Sequence, residues 1–295
     1  GCNEPEAVLV LVPGRKHGEM LLFCRERDAE REAWDGPRLG PEGAVDALGF
    51  DDAYAISDID DILPGLIEGR RRVFYHFGRE VEFDLKLIGW VNRVRALVKQ
   101  GAESPHEFQE LGHLLHDLRL FKSKSELRLM QHSAAIASLA HRRAMQVCKP
   151  GMFEFEIEAE LQYVFRKHAA VASYEPIVGG GANACVLHYR NNDARLSAGD
   201  LLLIDAGAEY QGYASDITRT FPINGVYSRE QRALHDLVEA AQQAAMAQVF
   251  PGNAWIAPHD AAVRVLTEGM LRLGLLKGSL QDAVSKESYR RFYMH

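Results

Sequence analysis

The chain has 295 residues, 47% of them apolar and 25% charged, enough for one large hydrophobic core or two modest ones. A net charge of −7 without any basic run excludes nucleic acid and anionic membrane as expected partners, and no apolar stretch approaches the roughly 18 residues of a membrane span. Cys2, Cys24, Cys148 and Cys185 are scattered with no C-x-x-C pair, which reads as reduced thiols of a cytoplasmic protein and not as a disulfide or zinc framework.

The chain opens at Gly1, running directly into EAVLVLVPG, so the lack of a visible signal peptide carries little weight. Ala7 to Val12 and Met20 to Arg25 are apolar runs around Pro13-Gly14, predicting strand, turn and strand. Val73 to Phe77 predicts a further strand. Glu82 to Lys99 has helical spacing at Phe83, Leu87, Trp90, Val91 and Val94. Polar Gly101 to Glu110, with Pro105, reads as the linker, which places the domain boundary between 110 and 111.

Ser123-Lys124-Ser125-Glu126 is a capping box opening a helix with the apolar face Leu127, Met130, Ala134 and Ala137, closed by Pro150-Gly151. A second helix carries Ile157, Leu161, Val164 and Phe165. About a hundred residues later the order recurs: a capping box at Ser228-Arg229-Glu230-Gln231, a helix with Leu234, Leu237, Val238 and Ala241, Pro251-Gly252, then a helix near His259 to Leu273. The recurrence predicts one domain of two similar halves, with a groove where they meet.

Between the repeats, Gly199 to Gly225 reads GDLLLIDAGAEYQGYASDITRTFPING, with Asp205 and Asp216 eleven residues apart. Leu201 to Ile204 and Ile217 to Phe221 predict the strands of a hairpin. With Gln211-Gly212 as its two-residue loop, Tyr210 faces Tyr213, Asp205 pairs with Thr218, and Asp216 lies one diagonal step away on the face of Asp205. Diagonal neighbours sit roughly 7–8 Å apart, so side chains leaning inward suit two cations roughly 3.5–4 Å apart. An odd loop or a bulge would split the pair onto opposite faces. The plain alternative is a turn-forming Asp205 and a solvated or capping Asp216. Against it, Asp205 directly follows four buried-type residues, where an unpaired carboxylate costs several kcal/mol.

The stretch DAGAEYQGYASDITRTFP resembles the metal-binding segment of the pita-bread metallopeptidases, specifically the Xaa-Pro aminopeptidases (aminopeptidase P). The resemblance extends through LRLFKSKSELRLM, CKPGMFEFEIEAEL, SYEPIVGGGANACVLHYRNND and RRFYMH, nearly the whole chain. It implies an α+β protein: a partial creatinase-like N-terminal α/β domain over residues 1–110, then an incomplete pseudo-twofold pita-bread domain over 111–295. The implied activity is a dinuclear, Mn²⁺-dependent release of the first residue from peptides with proline in second position, by a homo-oligomer at full length. Asp205 and Asp216 would be metal ligands, and His188, in VLHYRNND, would contact substrate beside the metals. His295 would be the first histidine of the family's H-G-x-x-H motif, binding substrate and handling protons. Both ends then read as cut: one metal-binding histidine and two glutamates are expected beyond His295, so the chain as given is expected to be inactive. Prolidase, which cleaves Xaa-Pro dipeptides, shares the aspartate pair. A metal-free creatinase-like or interaction protein on the same fold is the other alternative, and retention of both aspartates speaks against it.

His188 lies in Ala184 to Arg190, which reads as strand, where a lone histidine is commonly a hydrogen-bonded core residue. Tyr174 and Thr218 are candidates to support the aspartates from behind. Gly179-Gly180-Gly181 reads as a tight turn, since no lysine or helix start follows as a phosphate loop requires. His113-x-x-His116 reads as a partly exposed helix face. Trp34 falls where the family has a tryptophan reaching a neighbouring subunit's site, and ordinary packing is the alternative.

Overall fold

The computed structural model of the protein describes residues 2–293, in two compact units, Gly1–Lys122 and Ser123–His295. In the first unit, β1 (Val8–Leu11) pairs antiparallel with β2 (Met20–Cys24). Helices α1 (Ala29–Asp35) and α2 (Gly40–Leu48) then form the crossover that lets β3 (Asp52–Ala55) lie parallel to β2. There follow α3 (Ile59–Ile67), β4 (Arg72–Tyr75), α4 (Val81–Ala96), β5 (Glu107–Glu110) and α5 (Gly112–Leu120). Central β2 is buried on both faces. Phe23 packs with Ile59, Leu63, Trp90 and Val94 from α3 and α4, while Leu22 and Cys24 pack with Ala44 of α2. The Trp90 indole N–H donates to Asp60 Oδ1 at 2.8 Å, so burying the ring strands no donor.

Two expectations fail in this unit for one reason. The stretch 101–110, expected as a linker, carries β5, which pairs parallel with β4 from Arg72↔Glu107 to Tyr75↔Glu110. Arg71 and Arg72 grip Glu107 across that pair. With β5 and α5 held here, the compact units divide at 122/123 and not at 110/111.

The second unit opens with α6 (Lys124–Val147), whose capping box is formed in both directions: Glu126 N–H donates to Ser123 Oγ, and Ser123 N–H to Glu126 Oε2. Burial along α6 begins only at Ser133 and continues through Ile136, Ala137, Ala140 and Ala144. Of the face expected from sequence only Ala137 is buried; Leu127 stays 46% exposed. Helix α7 (Glu154–Lys167) buries Ile157, Leu161, Val164 and Phe165 as expected. Strands β6 (Val171–Ala172), β7 (Ile177–Gly180), β8 (Leu201–Ala206), β9 (Ala208–Tyr210), β10 (Tyr213–Ala214) and β11 (Ile217–Pro222) form two three-stranded sheets, β10-β9-β6 and β11-β8-β7. Ala137, Ala140 and Ala144 let α6 sit close to α7 and the sheets, and their cluster takes in Ile157, Phe165, Val178, Leu202 and Ile204. Each such large apolar side chain, fully buried, contributes about 1.5–3 kcal/mol.

The sequence order then recurs. Helix α8 (Arg229–Met246) is opened by the second capping box, Ser228 with Gln231, and is followed by α9 (Ala257–Arg272) and α10 (Leu280–Ser285). Leu237 and Ala241 are buried on α8, whereas Leu234 and Val238 are exposed.

Candidate metal centre

The hairpin forms in the expected register: Tyr210 opposite Tyr213 and Asp205 opposite Thr218. Its loop explains why. Gln211 and Gly212 have φ of +50° and +81°, the pair of positive values of a type I′ turn, whose twist matches that of the strands it joins. An even loop keeps the register unbroken from turn to aspartates.

The hairpin bends midway, so that its outer half (β9, β10) joins one sheet and its inner half (β8, β11) the other. The bend is at Gly207 and Ser215, and nothing larger than glycine fits: a Cβ on Gly207 would lie 1.7 Å from the Ser215 carbonyl oxygen. Serines brace it. Ser133 Oγ donates to Ala208 O at 2.6 Å, Ser173 Oγ to Ser215 O at 2.8 Å, and Ser173 N–H to Gly207 O at 3.1 Å.

Ser173 thereby fixes its neighbour Tyr174, whose hydroxyl lies 2.5 Å from Asp205 Oδ1 and 2.9 Å from Asp216 Oδ1. The phenol is held well above its ordinary range by burial, then by its bonds to the two carboxylates, so it stays protonated and donates. The two Oδ1 atoms therefore lie no further apart than those two distances together. Two unit charges about 5 Å apart repel by about 3 kcal/mol at an effective dielectric constant near 20. Among the described residues neither carboxylate has a cationic partner, and one phenolic proton serves both. Among the described residues, each also keeps its Oδ2 uncommitted. Two convergent oxygen donors with no counter-charge suit a hard divalent cation, so these residues fit part of a metal shell.

Other candidates fall as follows. Asp205 is the last residue but one of a strand buried on one face only: Leu202, Ile204 and Ala206 face the core, while Leu201, Leu203 and Asp205 are half-buried on the other side. Asp205 therefore does not follow a wholly buried strand, contrary to what the four apolar residues before it predict. Thr218 shares the ladder pair with Asp205 but is exposed. His188 is not in a strand; residues 181–185 form a 3-10 helix and His188 sits exposed in the turn after it, without a hydrogen bond to either aspartate. Gly179 and Gly180 end β7 instead of forming a turn, and Gly181 starts the 3-10 helix. His113 and His116 are exposed on α5, and Trp34 on α1 is 84% exposed, so it is not ordinary packing. His295 lies outside the described residues.

The sequence reading missed two features. His235, Asp236 and Glu239 on α8 are the one group of three ligand-type side chains that converge among the described residues, but Asp236 is paired with Arg232 at 2.7 Å on an exposed helix face. Glu154, at the start of α7, is fully buried with four hydrogen-bond donors around it. A glutamate in a first helical turn is ordinary in sequence, and only tertiary structure sets this one apart.

Comparison with known proteins places the chain in a family. The family model for metallopeptidase family M24 matches residues 128–295, and that for the aminopeptidase P N-terminal domain matches residues 1–75. The Xaa-Pro aminopeptidase of Escherichia coli (strain K12) is 39% identical over 297 residues, covering 100% of this chain and 67% of that protein. The solved Pseudomonas aeruginosa aminopeptidase PepP superposes with a TM-score of 0.97 at 55% identity, covering 99% of this chain and 66% of that one. A zinc-substituted E. coli aminopeptidase P in complex with product superposes at 0.96 and 38% identity, covering 100% of this chain and 68% of that one. The chain thus spans about two thirds of the length of these relatives. Its fold is α+β, an aminopeptidase P-type N-terminal domain followed by part of a pita-bread domain, and the chain belongs to metallopeptidase family M24.

Proposed function

We propose that this chain carries part of the active site of a dinuclear, metal-dependent aminopeptidase that releases the first residue from peptides with proline in second position. The observation that carries the reading is the pair Asp205 and Asp216, converging on one phenol with no cation of their own. The bracing of their hairpin supports it too, because a ligand pair must be held to within a fraction of an ångström. Retention of both carboxylates disfavours a metal-free relative on the same fold.

Divalent cations, Mn²⁺ by preference for oxygen and imidazole donors, would supply Lewis acidity and a water activated at neutral pH. The chain's own residues do the rest. Asp205 and Asp216 would hold the cations through their carboxylates. Tyr174 keeps the two carboxylates together through its hydroxyl. His188 donates to the carbonyl oxygen of the scissile Xaa-Pro bond, and His295 moves a proton toward the leaving imino nitrogen. Free thiols at all four cysteines accord with a cytoplasmic setting, and a homo-oligomer is the assembly that the kinship suggests. No described helix is long and apolar enough to cross a membrane.

The test is Mn²⁺ binding by calorimetry to the wild type, Asp205→Asn and Asp216→Asn, alongside peptidase assays with an Xaa-Pro tripeptide and an Xaa-Pro dipeptide. The assays use the chain extended to the length of its relatives. Binding lost in both variants and turnover of the tripeptide support the proposal. Turnover of the dipeptide alone would make the enzyme a prolidase, and Mn²⁺ binding undiminished in both variants would remove the aspartates from the site.

A further inference from the structure

Glu154 has no solvent exposure, and a buried carboxylate is costly unless its lone pairs are filled. Here they are. Oε1 accepts from Gly180 N–H at 2.7 Å and Asn183 Nδ2 at 3.1 Å; Oε2 accepts from the Tyr189 hydroxyl at 2.7 Å and Ala194 N–H at 2.9 Å. Its place in the first turn of α7 adds the favourable end of the helix dipole.

All four donors come from one excursion, residues 180–194, which leaves β7 and returns toward β8. Gly180 and Ala194 are its two ends, so the carboxylate closes its base. Gly180 reaches the carboxylate because it lacks a side chain: a Cβ there would lie 2.8 Å from Leu196 Cδ2. Ala194 is tied twice, its carbonyl also accepting from Glu154 N–H at 3.0 Å. One turn along α7, Glu158 accepts from the buried Asn192 at 2.9 Å, and Asn192 Oδ1 accepts from Val178 N–H at 3.0 Å.

The excursion has no ladder of its own to hold it. Val186 and Leu187 at its tip are 54% and 58% exposed, and His188 follows them. The anchor nearest His188 is the next residue, Tyr189, bound to Glu154.

We infer that Glu154 is a positioning residue, which through Tyr189 fixes the place of His188 relative to the peptide substrate. The role of His188 rests on the function proposed above; the anchoring of its segment rests on the contacts just described. Neither Glu154 nor Tyr189 has a hydrogen bond to Asp205 or Asp216. The β7 ladder that pairs Ile177 with Asp205 is held by its own backbone bonds, so losing the Tyr189 hydroxyl leaves the aspartates in place.

The experiment compares the wild type with Glu154→Gln and Tyr189→Phe. Glutamine keeps the shape of the side chain but turns one oxygen into a donor facing two donors. Phenylalanine removes one hydroxyl, with its contacts to Glu154, Asn183 and Asp193, but leaves Glu154 three of its four donors, so that variant folds even if Glu154→Gln does not. The imidazole signals of His188, assigned by its replacement, are followed by NMR, with Mn²⁺ affinity measured on the same samples. In the chain extended to the length of its relatives, kcat and KM are measured for an Xaa-Pro tripeptide. The expected result is a shift or broadening of the His188 signals in Tyr189→Phe, unchanged Mn²⁺ affinity, and kcat lower by about 10- to 100-fold, as a misplaced group about 1 Å out of position costs. His188 signals in Tyr189→Phe that match the wild type would overturn the inference, whatever the loss of stability. Shifted signals in a wild-type background that hydrolyses no Xaa-Pro peptide would uphold the anchoring and defeat the proposed function instead.

Discussion

Replacing Gly207 by alanine tests whether the bend of the hairpin is what brings Asp216 beside Asp205. The new Cβ would lie 1.7 Å from the Ser215 carbonyl oxygen, 2.6 Å from its carbonyl carbon and 2.4 Å from Ser173 Oγ. Ser173 can rotate its hydroxyl away, but a carbonyl retreats only if its strand does, by about 2 Å to reach ordinary contact. That movement breaks the bonds from Ser215 N–H to Ala208 O and from Ser173 Oγ to Ser215 O, both 2.8 Å, each worth about 1 kcal/mol. Overpacking adds about 1–3 kcal/mol, so the substitution costs about 3–5 kcal/mol, or a fall in Tm of about 6–20 °C for a unit of this size. Asp216 is the next residue after Ser215 and is carried out of register with Asp205. Urea titration followed by circular dichroism, with Mn²⁺ binding by calorimetry, reads both effects; the expected loss of Mn²⁺ affinity is at least about tenfold, or about 1.4 kcal/mol. Gly212→Ala is the control, since its φ is +81° but nothing lies within 4 Å of a Cβ there, and only turn strain of about 1–2 kcal/mol is expected. A Gly207→Ala protein within about 1 kcal/mol of the wild type and binding Mn²⁺ equally well would refute the reasoning.

Tyr174→Phe removes the one proton that two carboxylates share, and is expected to lower the stability of the metal-free protein by about 1–2 kcal/mol but to cost less once Mn²⁺ is added. Thermal melts with and without Mn²⁺ check this, and an equal loss in both would contradict a cation at that place. Gln211→Asn relieves a left-handed residue in the type I′ loop and is expected to stabilise by about 0.5 kcal/mol in urea titration, with the site undisturbed. The Tyr189 phenol is pushed up to about 12 by burial and by its bond to Glu154, above the value near 10 of an unfolded chain. Its stabilising contribution is therefore complete below pH 10 and is lost as pH rises toward 12. Urea titrations at pH 9, 10 and 11 should show a steeper decline in the wild type than in Tyr189→Phe, and parallel declines would count against the bond.

The sequence was most legible where local rules act alone. Both capping boxes needed only a serine and a Glu or Gln three residues on, and both form in full at Ser123 and Ser228. The hairpin register needed only the parity of a loop whose residues tolerate positive φ. What failed depended on partners distant in the chain. Glu107 to Glu110 looks like linker because nothing in EFQE announces a strand, and its pairing is with β4, more than thirty residues earlier. The apolar run around Val186 and Leu187 reads as strand, yet it is left exposed because β8 already has β7 and β11 as neighbours and the excursion is anchored instead by Glu154 and Asn192. The first turns of α6 carry Leu127 and Met130 on the expected stripe, but burial there starts only where the helix meets the bend, at Ser133. Of the candidate site, the aspartate pair is readable and Tyr174 is legible only as one of two candidates, with Thr218, to support it; the shared hydroxyl required the fold.

The central claim, that Asp205 and Asp216 hold a divalent cation between them, is tested most directly by anomalous X-ray scattering at the manganese edge from crystals of the protein grown with Mn²⁺. A peak within about 2.0–2.6 Å of carboxylate oxygens from both residues is the predicted result. A peak on His235, Asp236 and Glu239 with none at the aspartate pair would contradict it.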